Sequence, residues 1–195
     1  MKHVLIAASL ILIAAAAAAG EIGTVVLVKG TVTRAGAPVS PKARVSSGDT
    51  LVSSAGSFVR VKLDTQIALQ TGENSELKIS YDQKKDRTTL DVVRGGVLSR
   101  VQPRAVFHER LHIKTPQATM GVRGTTLYAG IASAEKTFLC VCEGTVATRY
   151  GNEERTFRTK RHESPVDIST SISSAEKVLP HDDGQIDELA KLLAN

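Results

Sequence analysis

The chain has no tryptophan, and aromatic residues make up only 4% of it. No basic stripe is interleaved with aromatics, so its net charge of +5 does not indicate nucleic-acid binding. A weak attraction to anionic surfaces is all that this scattered charge implies. A phosphate-binding loop, a Ser-His-Asp context and a set of oxygen ligands for calcium are all missing. Cysteine is confined to Cys140 and Cys142, at a spacing that matches no standard zinc signature. Beyond the first twenty residues no apolar run is long enough to span a bilayer.

What remains is rich in Val, Leu, Ile, Ala, Thr and Gly, which favours strands joined by turns over a helical bundle. The N-terminus is the exception. Lys2 and His3 precede an apolar run over residues 4–19, interrupted only by Ser9. Ala17-Ala18-Ala19 before Gly20 satisfies the small-x-small rule of signal peptidase. We therefore expect residues 1–19 to be a cleaved signal peptide, and the mature chain to be periplasmic or secreted without stable membrane insertion. The competing reading, an uncleaved anchor, suffers from the short run. No Cys stands at the junction to carry a lipid.

Short strands follow, with turn chemistry between them. Residues 23–28 and 31–34 flank Gly30, and Gly48-Asp49 marks a turn. Residues 57–63 alternate with period two, so Val59, Val61 and Leu63 share a face opposite Phe58, Arg60 and Lys62. Residues 67–69, 77–79, 126–129 and 137–142 read as further strands, and residues 145–150 and 155–159 as a hairpin about Gly151-Asn152. A strand–glycine–strand pattern recurs at Lys29-Gly30-Thr31, Arg94-Gly95-Gly96 and Glu143-Gly144-Thr145. The copies are unevenly spaced, so they predict one kink used three times and not a regular array. Near the end Asp182 or Asp183 can cap a helix carrying Ile186, Leu189, Leu192 and Leu193 at helical spacing. Residues 169–174 read as a polar linker to it.

One stretch is small, polar and glycine-punctuated: Thr115-Pro116-Gln117-Ala118-Thr119-Met120-Gly121-Val122-Arg123-Gly124-Thr125-Thr126. Pro116 biases Thr115 toward extended geometry, and Gly121 and Gly124 permit unusual or closely packed backbone. Read locally, it is a tight connection between strands in which Arg123 satisfies carbonyls or a carboxylate.

With these pieces in order, the chain resembles the FecR domain family. Gly23-Thr24-Val25 and Lys29-Gly30-Thr31-Val32 match the family's opening. Gly48-Asp49-Thr50-Leu51, with Ala55-Gly56-Ser57 and residues 59–63, matches its next segment. Leu69 and Asn74-Ser75-Glu76-Leu77 match the strand after that. Ile113-Lys114-Thr115-Pro116 through Val122-Arg123-Gly124-Thr125 matches its most recognisable string. The resemblance covers residues 23–144. It implies an all-β, single curved β-sandwich or solenoid-like domain, here with a short C-terminal α-helix. It also implies a non-catalytic module that binds a protein or envelope component. In the regulators that name the family, a cytoplasmic sigma-factor-binding segment and a membrane helix precede this domain. Residues 1–19 take that place here, so direct sigma-factor contact is not expected. The expected division is residues 1–19, a FecR-like β domain over 20–150, and an extension over 151–195 with hairpin strand, linker and short helix.

Two constellations could carry chemistry. His108-Glu109-Arg110-Leu111-His112 spells HExxH, which on a helix would bind zinc and act as a metallohydrolase. Pro103 and Pro116 leave little room for that helix, and Leu111 and Ile113 alternate as on a strand. On a strand the two imidazoles would lie about 13 Å apart and could not share a metal. Cys140 and Cys142 are different. At i and i+2 of a strand their sulfurs are neighbours, yet extended geometry strains a disulfide between them. A soft transition-metal or haem-related site completed by His162 and His181 is one reading. A labile redox pair is a second. Two small buried residues of a core strand are the third.

Overall fold

The computed structural model describes residues 20–103, 109–160, 165–175 and 180–194. In chain order the strands are β1 (Glu21–Lys29), β2 (Val32–Arg34), β3 (Ala37–Pro38), β4 (Arg44–Ser46), β5 (Thr50–Ser53), β6 (Phe58–Lys62), β7 (Ile67–Thr71) and β8 (Glu76–Asp82). They continue as β9 (Arg87–Arg94), β10 (Gly96–Val101), β11 (Leu111–Lys114), β12 (Thr119–Ser133), β13 (Lys136–Tyr150), β14 (Glu153–Thr159), β15 (Val166–Ile168) and β16 (Ile172–Ser174). One helix, α1 (Asp183–Leu193), follows.

All sixteen strands belong to one curled sheet. Its spine is the β12–β13 hairpin, paired along most of both strands and bulged between Arg123 and Thr126. The first half of β12 pairs with β11, from which one wing runs through β9, β8, β5 and β2 to β3. The second half pairs with β10, from which the other wing runs through β7, β6 and β1 to β4. The β11–β9 pair is parallel, and the other pairs are antiparallel. A bulged spine with two wings curls into a half-barrel, because each bulge adds bend and twist to the strand that carries it.

The inner face is the core. Leu51, Leu69, Leu77, Ile79, Leu90, Ile113, Met120 and Leu127 are fully buried within it. The alternation read in residues 57–63 is realised: Val59 and Val61 are buried, while Phe58 and Arg60 are half-buried on the other face.

The three predicted glycine kinks are three copies of one corner. Gly30, Gly95 and Gly144 have φ of 71°, 67° and 104°, a left-handed backbone that glycine adopts without steric cost. In each copy the next amide donates to a hydroxyl. Thr31 N–H reaches Ser57 Oγ at 2.9 Å, Gly96 N–H reaches Ser75 Oγ at 2.9 Å, and Thr145 N–H reaches Thr125 Oγ1 at 3.0 Å. Each hydroxyl in turn lies against the carbonyl two residues behind it: Ala55 at 3.1 Å, Glu73 at 3.1 Å and Arg123 at 2.8 Å. The residue just before each hydroxyl is itself left-handed, namely Gly56, Asn74 and Gly124. There is no room for a side chain where the corners meet. A Cβ on Gly95 would lie 2.7 Å from Ser75 Cα, and one on Gly144 would lie 2.7 Å from the Gly124 carbonyl oxygen.

Two local readings change. The stretch from Thr115 to Thr126 is not a connection throughout. The turn ends at Ala118, closed by Thr115 N–H to the Ala118 carbonyl at 2.9 Å and by Ala118 N–H to Thr115 Oγ1 at 3.1 Å. From Thr119 the chain is already β12. Its small residues sit in a central strand because neighbours press on the backbone. A Cβ on Gly124 would lie 3.0 Å from Pro103 Cα, whereas one on Gly121 would meet only the Glu109 carboxylate, which can swing aside. Residues 169–174, read as a linker, hold the turn and second strand of the β15–β16 hairpin, because Ile172 packs against the core.

Candidate functional site

Strand alternation directs Leu139 and Val141 into the inner core and Cys140 and Cys142 onto the outer face. There the thiols join Ala68, Leu98 and Tyr128 under α1, which contributes Leu189 and Leu193. The helix starts where its cap dictates. Asp182 accepts from Gln185 N–H at 2.8 Å, and the Gln185 side chain returns the bond to Asp182 N–H at 3.2 Å, forming a capping box. Arg60 pairs with Glu188 at 3.2 Å, and Gln102 Nε2 donates to the Leu193 carbonyl at 2.5 Å, fixing the helix to β6 and to the end of β10.

The residue before the cap is His181, 7% exposed. Its ring stacks on Tyr128, with centroids 5.3 Å apart and planes 15° apart. Its Nε2 lies 3.2 Å from Cys142 Sγ. One donor atom from each of Cys140, Cys142 and His181 falls within 4.8 Å of the other two, and all three residues are buried. Three of the four residues singled out for a metal thus converge, and His162 lies outside the described residues. Neither cysteine is in a disulfide. Its bond to the Cys140 side chain and its burial push the Cys142 thiol up from the ordinary range, so it is protonated at neutral pH. Burial alone pushes the Tyr128 phenol up to about 12.

The HExxH segment is placed differently. His108 lies outside the described residues, Glu109 and Arg110 are not helical, and Leu111 to Lys114 form β11. The helical face that a zinc hydrolase needs is therefore not formed over residues 109–112. His112 instead bonds Glu109 Oε2 at 2.8 Å. Burial lowers the His112 pKa, opposed by the Glu109 bond. A depressed histidine contributes stability above its unfolded pKa of about 6.5, which is lost as pH falls through the lower folded value. Unfolding free energy should therefore fall with pH below about 6.5, and His112→Gln should reduce that slope. Urea unfolding of both proteins at a series of pH values checks this.

Arg110 was not singled out from the sequence, where the metal-motif reading of HExxH competed with a strand. Its guanidinium holds Asp64 Oδ2 and Asp86 Oδ1 at 3.0 Å each, and also donates to the Gln66 side chain. It thereby ties the β6–β7 loop to the β8–β9 turn. It also borders a groove of 710 Å³ whose apolar floor includes Ile22, Val26 and Leu63, with Lys62 and Asp64 at its edge. Val26 is 40% exposed although it is aliphatic. No sequence pattern marks this groove, because its residues come from segments far apart in the chain.

The curled sheet has counterparts among solved proteins. Two crystal structures of a candidate anti-sigma factor from Parabacteroides distasonis ATCC 8503, at 1.65 and 2.50 Å resolution, share its fold. The first aligns with a TM-score of 0.53 at 13% identity over 65% of this chain and 58% of that one. The second gives 0.54 at 12% identity over the same shares. The chain thus spans less than two thirds of that protein's length. A comparison with curated proteins finds no match. The FecR protein family profile matches residues 49–147, just over half of the 195 residues, and the chain belongs to that family.

Proposed function

We propose that this chain is an exported, non-catalytic FecR module of the cell envelope that binds a protein partner through the Val26 groove. The groove is the observation that carries the reading: an exposed aliphatic strand face beside charges of both signs suits a polypeptide segment better than a uniformly charged polymer. Family membership supports protein interaction. The signal-like residues 1–19, ending at Ala19, support export to the periplasm.

A photo-crosslinking residue placed at Val26 in living cells tests the site, with one at the exposed Gly151 turn as control. A discrete protein adduct at Val26 and none at Gly151 is expected. Equal adducts, or none at either position, would overturn the groove assignment. Fractionation with N-terminal sequencing tests export. A mature chain beginning near Gly20 in the periplasm is expected, and a full-length cytoplasmic chain would contradict it.

A further inference from the structure

We infer that Cys140, Cys142 and His181 form a zinc site that fastens the C-terminal helix to the sheet. The donor set comes from two places that need fastening. Both thiols project from β13, and the imidazole is delivered by the residue leading into α1. Tetrahedral zinc, with Zn–S of about 2.3 Å and Zn–N of about 2.0–2.1 Å, separates two sulfurs by about 3.8 Å and a sulfur from a nitrogen by about 3.5 Å. The three donors lie within 4.8 Å of one another, and the Cys142 sulfur is 3.2 Å from Nε2. Side-chain shifts of no more than about 1.3 Å would bring every pair to these separations.

The surroundings favour an ion over simple packing. The layer between α1 and the sheet otherwise holds Ala68, Leu98, Tyr128, Leu189 and Leu193, with Phe138, Ile186 and Leu192 packed against it. Burying an imidazole against two thiols there carries a desolvation cost that an aliphatic residue would not incur. Tyr128 holds the ring face, so the edge bearing Nε2 stays turned toward sulfur. The charge balance selects zinc(II) over copper(I). Zinc displaces one proton from each thiol, and two thiolates and a neutral imidazole around the dication leave no net charge in a buried site. The released protons pass to solvent. Copper(I) on the same donors would leave one negative charge. The fourth zinc position can be taken by water, because a cavity of 250 Å³ adjoins the site, bordered by Tyr128, His181 and Gln185.

The test uses untagged, reduced, metal-free chain titrated with zinc, and with cobalt(II) as a spectroscopic substitute. One equivalent of zinc per chain is expected, together with a thiolate-to-cobalt charge-transfer band in the near ultraviolet. At free zinc a thousandfold above Kd, Tm should rise by roughly 8–16 °C. Cys140→Ser with Cys142→Ser, and separately His181→Gln, should each weaken binding by at least about a hundredfold. If the cysteine variant does not fold, His181→Gln decides alone, because it leaves the strands untouched. Substoichiometric uptake, absence of the charge-transfer band, affinity unchanged in His181→Gln, or tight copper(I) binding without zinc binding would each overturn the assignment.

Discussion

Gly144→Ala is expected to lower the unfolding free energy by about 2–5 kcal/mol, the sum of left-handed strain at a non-glycine residue and overpacking. The strain arises because φ is 104°. The overpacking arises because the new Cβ would lie 2.7 Å from the Gly124 carbonyl oxygen and 3.0 Å from Thr125 Cα, both backbone atoms of the facing strand. Neither can swing aside as a flexible side chain would. Gly151→Ala supplies the control. It too is left-handed, with φ of 52°, but nothing lies within 4 Å of its Cβ position. That variant should lose only about 1–2 kcal/mol. Urea unfolding of the two variants measures the difference. Equal losses would show that the corner tolerates a side chain.

Tyr128→Ala should cost about 3–5 kcal/mol, the range for emptying a buried aromatic site. The ring is 9% exposed, stands edge-on to Phe138 with centroids 6.1 Å apart, and supports His181. Its loss removes the platform between β12 and the lead into α1. The same variant should raise the native-state reaction rate of Cys140 and Cys142 with a thiol reagent, since α1 covers both sulfurs. Tyr128→Phe keeps the ring and should retain most of the stability and the slow thiol reaction. If Tyr128→Ala melts like the wild type with thiols still protected, the helix is held by Leu189 and Leu193 without the aromatic layer.

Much of the fold is legible in short-range pattern. Period-two alternation reports which residues of β6 are buried, and Asp182 with its helical run of aliphatics reports α1. The repeated strand–glycine–strand strings mark the three corners. Their hydroxyl partners Ser57, Ser75 and Thr125 fall within the family-matching strings, but no local pattern pairs them with the three glycines, because a hydroxyl that closes a corner looks in sequence like any turn hydroxyl. The stretch after Pro116 was misleading for a related reason. Glycine and threonine signal turns by composition, but Gly121 and Gly124 lie in β12 where Glu109 and Pro103 approach the backbone closely. The site was half legible. The i, i+2 rule places the thiols side by side, and His181 could be named as a partner. The outer face that receives α1, the ring of Tyr128 beneath the imidazole and the Val26 groove all depend on how the wings curl, and no local periodicity encodes that.

The three corners also bear on how the chain finds its fold. Their hydrogen bonds close loops of 26, 21 and 20 residues. Loop-closure entropy grows only with the logarithm of length, so the corners differ by about 0.2 kcal/mol in the cost of closure. None is handicapped against the others as a starting point. Each also joins segments near one another in sequence, which keeps early contacts local in a sheet that would otherwise depend on distant pairings. Assembly can therefore begin at any corner and spread along the strands that leave it, with the parallel β9–β11 pair joining once β12 is in place between the wings.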